Sequence, residues 1–390
     1  MRASKIELTP MKRAKRVATG VAVGLLFAAV VAFAPIAEEP TPIAFESGES
    51  GAREPAALAA PMDAPHLLFI TLDGVRPDEF FDCAFVKDLA KSGCSFPNLF
   101  AEVRAKRFEV AGMVVGNTRR RSLPGYQSIY SGKNQDATCR DNDDCAQVPT
   151  QTWLEHIRYA RGLMPYQVAS IASWNKMPIA VEKVPGIITV NAGIVDMMDP
   201  RSPDLSVPKE LELESRWQGE KMYLPRWENA RDDRFTFRYA QWYLTTIKPD
   251  VLAVGFLNSD ELAHEDDFSG YKKQLRTYDG YIKTYLQDLK DSGLYDNTIV
   301  FVTTDHGRGS GFFGYAFQGH GPEWYLDHSA VTWAAISVPP RLGAEWASIR
   351  KRYERRLLTQ LDIRPIVEEL MIPLHPSPPK KPGSIWPSRR

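Results

Sequence analysis

The chain predicts an α/β fold, a three-layer α/β/α sandwich around a largely parallel sheet. Three observations carry that expectation. Short, continuous apolar runs recur from His66 onward, helical patterns alternate with them, and several runs end on an acidic residue or a histidine. Uninterrupted apolar runs suit strands buried on both faces, as in a sheet covered by helices on each side. Regular strand–helix alternation gives the sandwich.

In chain order, the first run is His66–Leu72, which stops at Asp73-Gly74. A second begins at Gln167 and a third at Asp250, the latter ending near Asn258 and Asp260. Thr298 opens a fourth, which stops at Asp305-His306-Gly307, and Val331 a fifth. Helices are expected over Asp78–Ser92, Arg231–Ile247, Ser269–Ser292 and Ile349–Met371, the third closed by Gly293. Proline and charge crowd Pro200–Asp233, which reads as an insertion, at about residues 200–233, beside the active face. The catalytic domain is expected to span residues 66–372, with a Pro- and Lys-rich tail over 373–390.

Six basic residues between Arg2 and Arg16 precede an uncharged run from Val17 to Ala37. A basic segment before such a run reads as a signal peptide or, given its length, as a single transmembrane anchor. Ala32-Phe33-Ala34 fits a cleavage site, but Pro35 follows it directly. Residues 38–65, rich in Pro, Ala, Glu and Ser, form the expected linker. The basic flank would stay inside, so the body is expected to be extracytoplasmic, periplasmic or secreted, with the membrane as a partner through residues 17–37.

Lys+Arg and Asp+Glu are both 48, which excludes a nucleic-acid binder working through bulk positive charge. Hydrophobic residues make up 44%, enough for a sizeable core. Four cysteines outside the cytoplasm favour disulfides, and Cys83–Cys94 with Cys139–Cys145 is the preferred pairing of the three available.

Ligands of open α/β sheets sit at the carboxyl ends of strands, so Asp73, Asp260, Asp305 and His306 are expected to converge. Taken singly, each residue has a plainer reading. Asp73 before a glycine suits a turn. Asp260 and His264, one helical turn apart, suit metal ligation or a solvated pair. Asp305-His306-Gly307 suits a metal or catalytic site. His320, between two glycines, competes with His328 for one role. Ser122, just before Pro124 in a first helical turn, reads as a cap or as a residue facing an anionic ligand.

Taken in order, the set resembles the alkaline phosphatase superfamily. Asp73, Ser122-Leu-Pro124, Asp260-x-x-x-His264, Asp305-His306-Gly307 and His320 follow that family's sequence of strand-end Asp, nucleophile segment, D-x-x-x-H, D-H-G and late His. Ser122 through Ser131-Gly132 also resembles the sulfatase segment, although Tyr126 stands where sulfatases place an arginine. The resemblance implies two divalent metals, zinc being best suited to oxygen and imidazole ligands. One would be held by Asp260, His264 and His320, and the other by Asp73, Asp305, His306 and the Ser122 oxygen. It further implies a metal-dependent phosphoric-ester hydrolase, phosphatase or phosphodiesterase, acting on a small-molecule ester through a phosphoseryl intermediate on Ser122. The alternatives are an envelope phosphotransferase of the phosphoethanolamine type and a sulfatase-like hydrolase. Arg121, Lys133 and Asn258 are the candidate substrate-binding residues, with Trp174-Asn175 as further pocket candidates.

Overall fold

The computed structural model describes residues 64–193, 230–309, 317–323 and 328–372. The expected export or anchor segment, the linker, nearly all of the 200–233 insertion and the tail lie outside those residues. Among the described residues, no helix is long and apolar enough to cross a membrane.

Among the described residues, eight strands form one mixed sheet. They are β1 (His66–Leu72), β2 (Glu109–Val114), β3 (Val168–Ala172), β4 (Thr189–Ala192), β5 (Val251–Phe256), β6 (Thr298–Thr303), β7 (Val331–Ser337) and β8 (Leu358–Thr359). Their order is β4-β3-β5-β1-β6-β7-β2-β8, and β7 alone runs against its neighbours. The register places Leu72 beside Phe256 and Thr71 beside Thr303, so β1, β5 and β6 end side by side.

Helices cover both faces. On one lie α1 (Pro97–Arg104), α4 (Asp233–Trp242) and the 24-residue α6 (Phe268–Asp291). On the other lie α2 (Ser122–Ser131), α3 (Trp153–Arg161), α7 (Gly343–Tyr353) and α8 (Ile363–Met371). In β1, Leu68, Ile70 and Leu72 enter the first core and Leu67 and Phe69 the second. This two-sided burial is why the strand is apolar without alternation. The short α5 (Asn258–His264) starts two residues after β5.

The sequence expectations for β1, β3, β5, β6 and β7 match the structure, and those for α4 and α6 match closely. Two helices differ. Asp78–Ser92 is helical only over Pro77–Phe80, followed by a 3-10 turn to Cys83. Beyond it, Asp82 accepts hydrogen bonds from the Ser95 amide and hydroxyl, and Cys83 is bonded to Cys94, which together close a loop in place of a helix. Ile349–Met371 is broken by β8, where Asp362 accepts from the Thr359 amide and pairs with Arg356. Both expected disulfides are present.

Candidate active site

β1 delivers Asp73 at its carboxyl end. The turn after it needs Gly74, whose φ is +64° and where a Cβ would stand 2.3 Å from Asp260 Oδ1. β6 delivers Asp305 and His306, and Asp305 Oδ1 accepts from the Gly74 amide at 3.1 Å. The Asp305 carbonyl is tied from the far end of the chain. The Gln360 side-chain amide donates to it at 2.5 Å and to the Thr304 carbonyl at 3.0 Å, while Gln360 Oε1 accepts from the Gly116 amide.

Ser122 is the first residue of α2, with Arg121 as the cap residue, so the serine does not serve as the helix cap. Instead, the Leu123 amide donates to Asn142 Oδ1, inside the Cys139–Cys145 loop. Gly125 lets α2 press on the loop that carries Asp305, since a Cβ there would lie 2.6 Å from the Asp305 carbonyl oxygen. Ser122 Oγ thereby comes 3.2 Å from His306 Nε2. The Gly307 carbonyl accepts from His306 Nδ1, which therefore carries the proton and leaves Nε2 bare. Around that bare nitrogen, Asp73 Oδ1 and Asp305 Oδ2 each lie 3.4 Å away.

Those two carboxylate oxygens are buried and have no hydrogen-bond partner. Burial, then the neighbouring Asp305 and Asp260, push Asp73 well above the usual carboxylate range, and burial also raises Asp305. Unpartnered buried carboxylates are costly unless a cation joins them. Ligand atoms on a tetrahedral zinc with bonds of about 2.1 Å are about 3.4 Å apart, in line with these separations. Asp73, Asp305, His306 and Ser122 therefore fit a divalent metal.

The second expected group is assembled differently. Asp260 Oδ2 lies 2.9 Å from His264 Nε2 and 3.8 Å from His320 Nε2. The His320 ring stacks on His306 at 3.8 Å, with its Nδ1 donating to the Arg120 carbonyl. Arg120 adopts a left-handed φ of 53° to present that carbonyl. Burial holds the His320 pKa well below that of a free histidine, so the ring is neutral. His264 is half-exposed. His328, the competitor to His320, is exposed.

A residue the sequence did not single out stands among these. Arg308, fully buried, pairs with Asp260 Oδ1 and approaches His264 Nδ1 at 3.3 Å. Against the burial that would raise it, Arg308 first, then His264 and His320, hold the Asp260 carboxyl well below its ordinary range. Arg308 sits in a glycine-rich stretch whose sequence suits close backbone approach to a ligand, and its place directly after Asp305-His306-Gly307 was the one available signal. Tyr126, at the sulfatase arginine position, donates its hydroxyl to Asp73 Oδ2 at 3.0 Å.

The expected substrate residues are scattered. Arg121 pairs with Asp141 at 3.5 Å, and Lys133 is exposed beyond the end of α2. Asn258 is buried, its amide donating to Asp233 Oδ2 and its own Oδ1 unpartnered. The Trp174 ring lies 6.5 Å from that of Tyr126.

Residues 212–331 match the sulfatase family model. No curated protein matches the chain. Among solved structures, BT1596, a 2-O GAG sulfatase, aligns at 12% identity over 79% of this chain and 70% of its own, with a TM-score of 0.48. The C-terminal periplasmic domain of EcEptC from Escherichia coli, in complex with Zn, aligns at 12% identity over 79% of this chain and 82% of its own, TM-score 0.48. A protein in the alkaline phosphatase superfamily from Vibrio parahaemolyticus aligns at 12% identity over 79% and 66%, TM-score 0.44. The sulfatase family model thus matches under a third of the chain, and one of the similar structures is described as a protein in the alkaline phosphatase superfamily, the group that the ordered motifs resemble.

Proposed function

We propose that the chain hydrolyses small phosphoric esters outside the cytoplasm, through a phosphoseryl intermediate on Ser122. The observation that carries this reading is the Ser122 oxygen, 3.2 Å from a bare histidine nitrogen that also faces two buried, donor-free carboxylate oxygens. A divalent metal held by Asp73, Asp305, His306 and Ser122, zinc by ligand type, supplies Lewis-acid charge that favours the serine alkoxide. The protein's own residues do the rest. α2, anchored through Asn142 and pressed to Asp305 at Gly125, holds Oγ in line with the incoming phosphorus. Oγ–P forms as the bond to the leaving alcohol breaks, and water then cleaves Oγ–P to regenerate the serine. The serine proton leaves with the alcohol and the attacking water returns one to Oγ, while His320, buried and neutral, stacks on His306 with its Nε2 3.2 Å from His264 Nε2. The expected export segment and the two disulfides support an oxidising, extracytoplasmic setting.

Sulfate-ester hydrolysis is the second reading, favoured by the family match over 212–331. Tyr126 in place of the motif arginine weighs against it. The purified chain, with and without zinc, would be incubated with p-nitrophenyl phosphate, bis-p-nitrophenyl phosphate and p-nitrophenyl sulfate. Release from a phosphate ester, abolished by chelator and reduced about a thousand-fold or more by Ser122→Ala, is the expected result. Release from the sulfate alone would replace the proposal with the second reading, and no release from any of the three would sink both.

A further inference from the structure

We propose that Tyr126 is a positioning residue that tunes the choice of metal, by deciding which oxygen of Asp73 meets the ion. The proposal rests on the metal reading of the group formed by Asp73, Asp305, His306 and Ser122. Tyr126 lies four residues after Ser122 in α2, so both side chains project from one face of the helix. Ser122 Oγ reaches His306 Nε2 at 3.2 Å, and the Tyr126 hydroxyl donates to Asp73 Oδ2 at 3.0 Å. The residue that carries this hydroxyl is only 2% exposed. A buried phenol needs an acceptor, and Asp73 supplies it. The helix that brings the serine therefore also brings a donor to the neighbouring carboxylate and leaves its Oδ1 to face His306, 3.4 Å away.

The other carboxylate repeats the pattern with a different donor. Asp305 Oδ1 accepts from the Gly74 amide at 3.1 Å, and its Oδ2 is left bare, as Asp73 Oδ1 is. Each acid thus turns one bare oxygen toward His306 Nε2 and keeps the other in an internal hydrogen bond. With His306 Nε2 and Ser122 Oγ, the two bare oxygens make a set of four ligand atoms, the number a tetrahedral zinc takes. Calcium takes six to eight oxygens and accepts a carboxylate through both of its own. A donor on one oxygen of each acid, holding that acid in a one-oxygen pose, favours zinc over calcium. The Gly74 amide is main chain, so Tyr126 is the member of the pair that a side-chain change can remove. With phenylalanine in its place, Asp73 Oδ2 loses its donor, and the carboxylate is freer to turn both oxygens to the ion.

The test compares zinc and calcium binding by the full chain, stripped with chelator and titrated with each ion by calorimetry, zinc against a competing chelator. Tyr130→Phe is the control, since that tyrosine lies one turn further along α2 and its buried hydroxyl has no partner. Tyr126→Phe should weaken a zinc-binding step about ten-fold or more while calcium binding holds or tightens, so that the preference narrows by at least that factor. Tyr130→Phe should change neither. A folded Tyr126→Phe protein with wild-type affinity for both ions would overturn the proposal, and so would equal losses of both. The same loss in Tyr130→Phe would assign the effect to helix packing and overturn it as well. Should Tyr126→Phe fail to fold, the wild type still tests the idea, because calcium bound as tightly as zinc would overturn it. A folded wild type that takes up no zinc would instead remove the metal reading on which the proposal rests.

Discussion

The two ligand groups at the carboxyl end of the sheet draw on the same residue types and are wired in opposite ways. In one, Asp73 Oδ1 and Asp305 Oδ2 are buried without donors around a bare His306 nitrogen. In the other, Asp260 Oδ1 is paired with Arg308, while Asp260 Oδ2, His264 Nε2 and His320 Nε2 face one another at 2.9, 3.2 and 3.8 Å. The first group has no cationic side chain on its unpartnered oxygens, and the second has Arg308 on one carboxylate oxygen. Residue type alone therefore does not describe either group. What differs is how many of the oxygens neighbouring donors have claimed first.

Four substitutions probe that contrast. The largest effect is expected from Asp305→Asn, which replaces a donor-free oxygen in the first group. It should abolish zinc binding at the first group and lower kcat/KM about a thousand-fold or more, whereas His264→Ala, at a half-exposed residue, should leave that ion in place and cost less. Zinc lost equally from both variants, measured by metal analysis, would erase the distinction between the groups. Next, His320→Ala should reduce kcat about a hundred-fold through the lost stack on His306 and contact with His264, while exposed His328→Ala should stay near wild type. The reverse ranking in steady-state kinetics would move that role to His328.

The smallest effect concerns the scaffold under the second group. Asp233 is buried and accepts from the Leu257 and Asn258 amides, at 2.9 and 2.8 Å, and from the Tyr278 and Ser173 hydroxyls, both at 2.5 Å, tying down the start of α5. Burial raises its pKa from 3.8 to about 6 despite those bonds. A raised carboxyl favours the protonated fold, so this contribution is complete below 3.8 and is lost as pH rises through about 6. At 1.36 kcal/mol for each tenfold change, the swing is about 3 kcal/mol. Denaturant titrations between about pH 4 and pH 7 should show Asp233→Asn losing less stability than the wild type over that interval. A wild type that gains relative to the variant would mean that the four hydrogen bonds, and not burial, dominate.

Much of this was legible before any coordinates. β1, β3, β5, β6 and β7 announce themselves because burial on two faces forces long apolar runs. β2, with Gly112 and partial exposure, and the short β4 and β8 carry no such pattern; their pairing is settled by neighbours in space. Of the site, the strand-end Asp73, Asp305 and His306 followed from topology. Arg308 did not, because a guanidinium in a glycine-rich loop looks solvated until the Phe317 and Gln318 carbonyls close over it. Tyr126 was noticed only as a missing arginine, and its hydroxyl bond to Asp73 requires α2 to be laid across the strand ends.

Gln360 adds an ordering in time. Its amide secures the Thr304 and Asp305 carbonyls from a position 55 residues further along the chain than Asp305. During synthesis, every described strand, β8 included, precedes that clasp in the chain. The loop bearing Asp305 and His306 is thus completed only after the last strand of this sheet has been made, which delays the centre until all its strands exist.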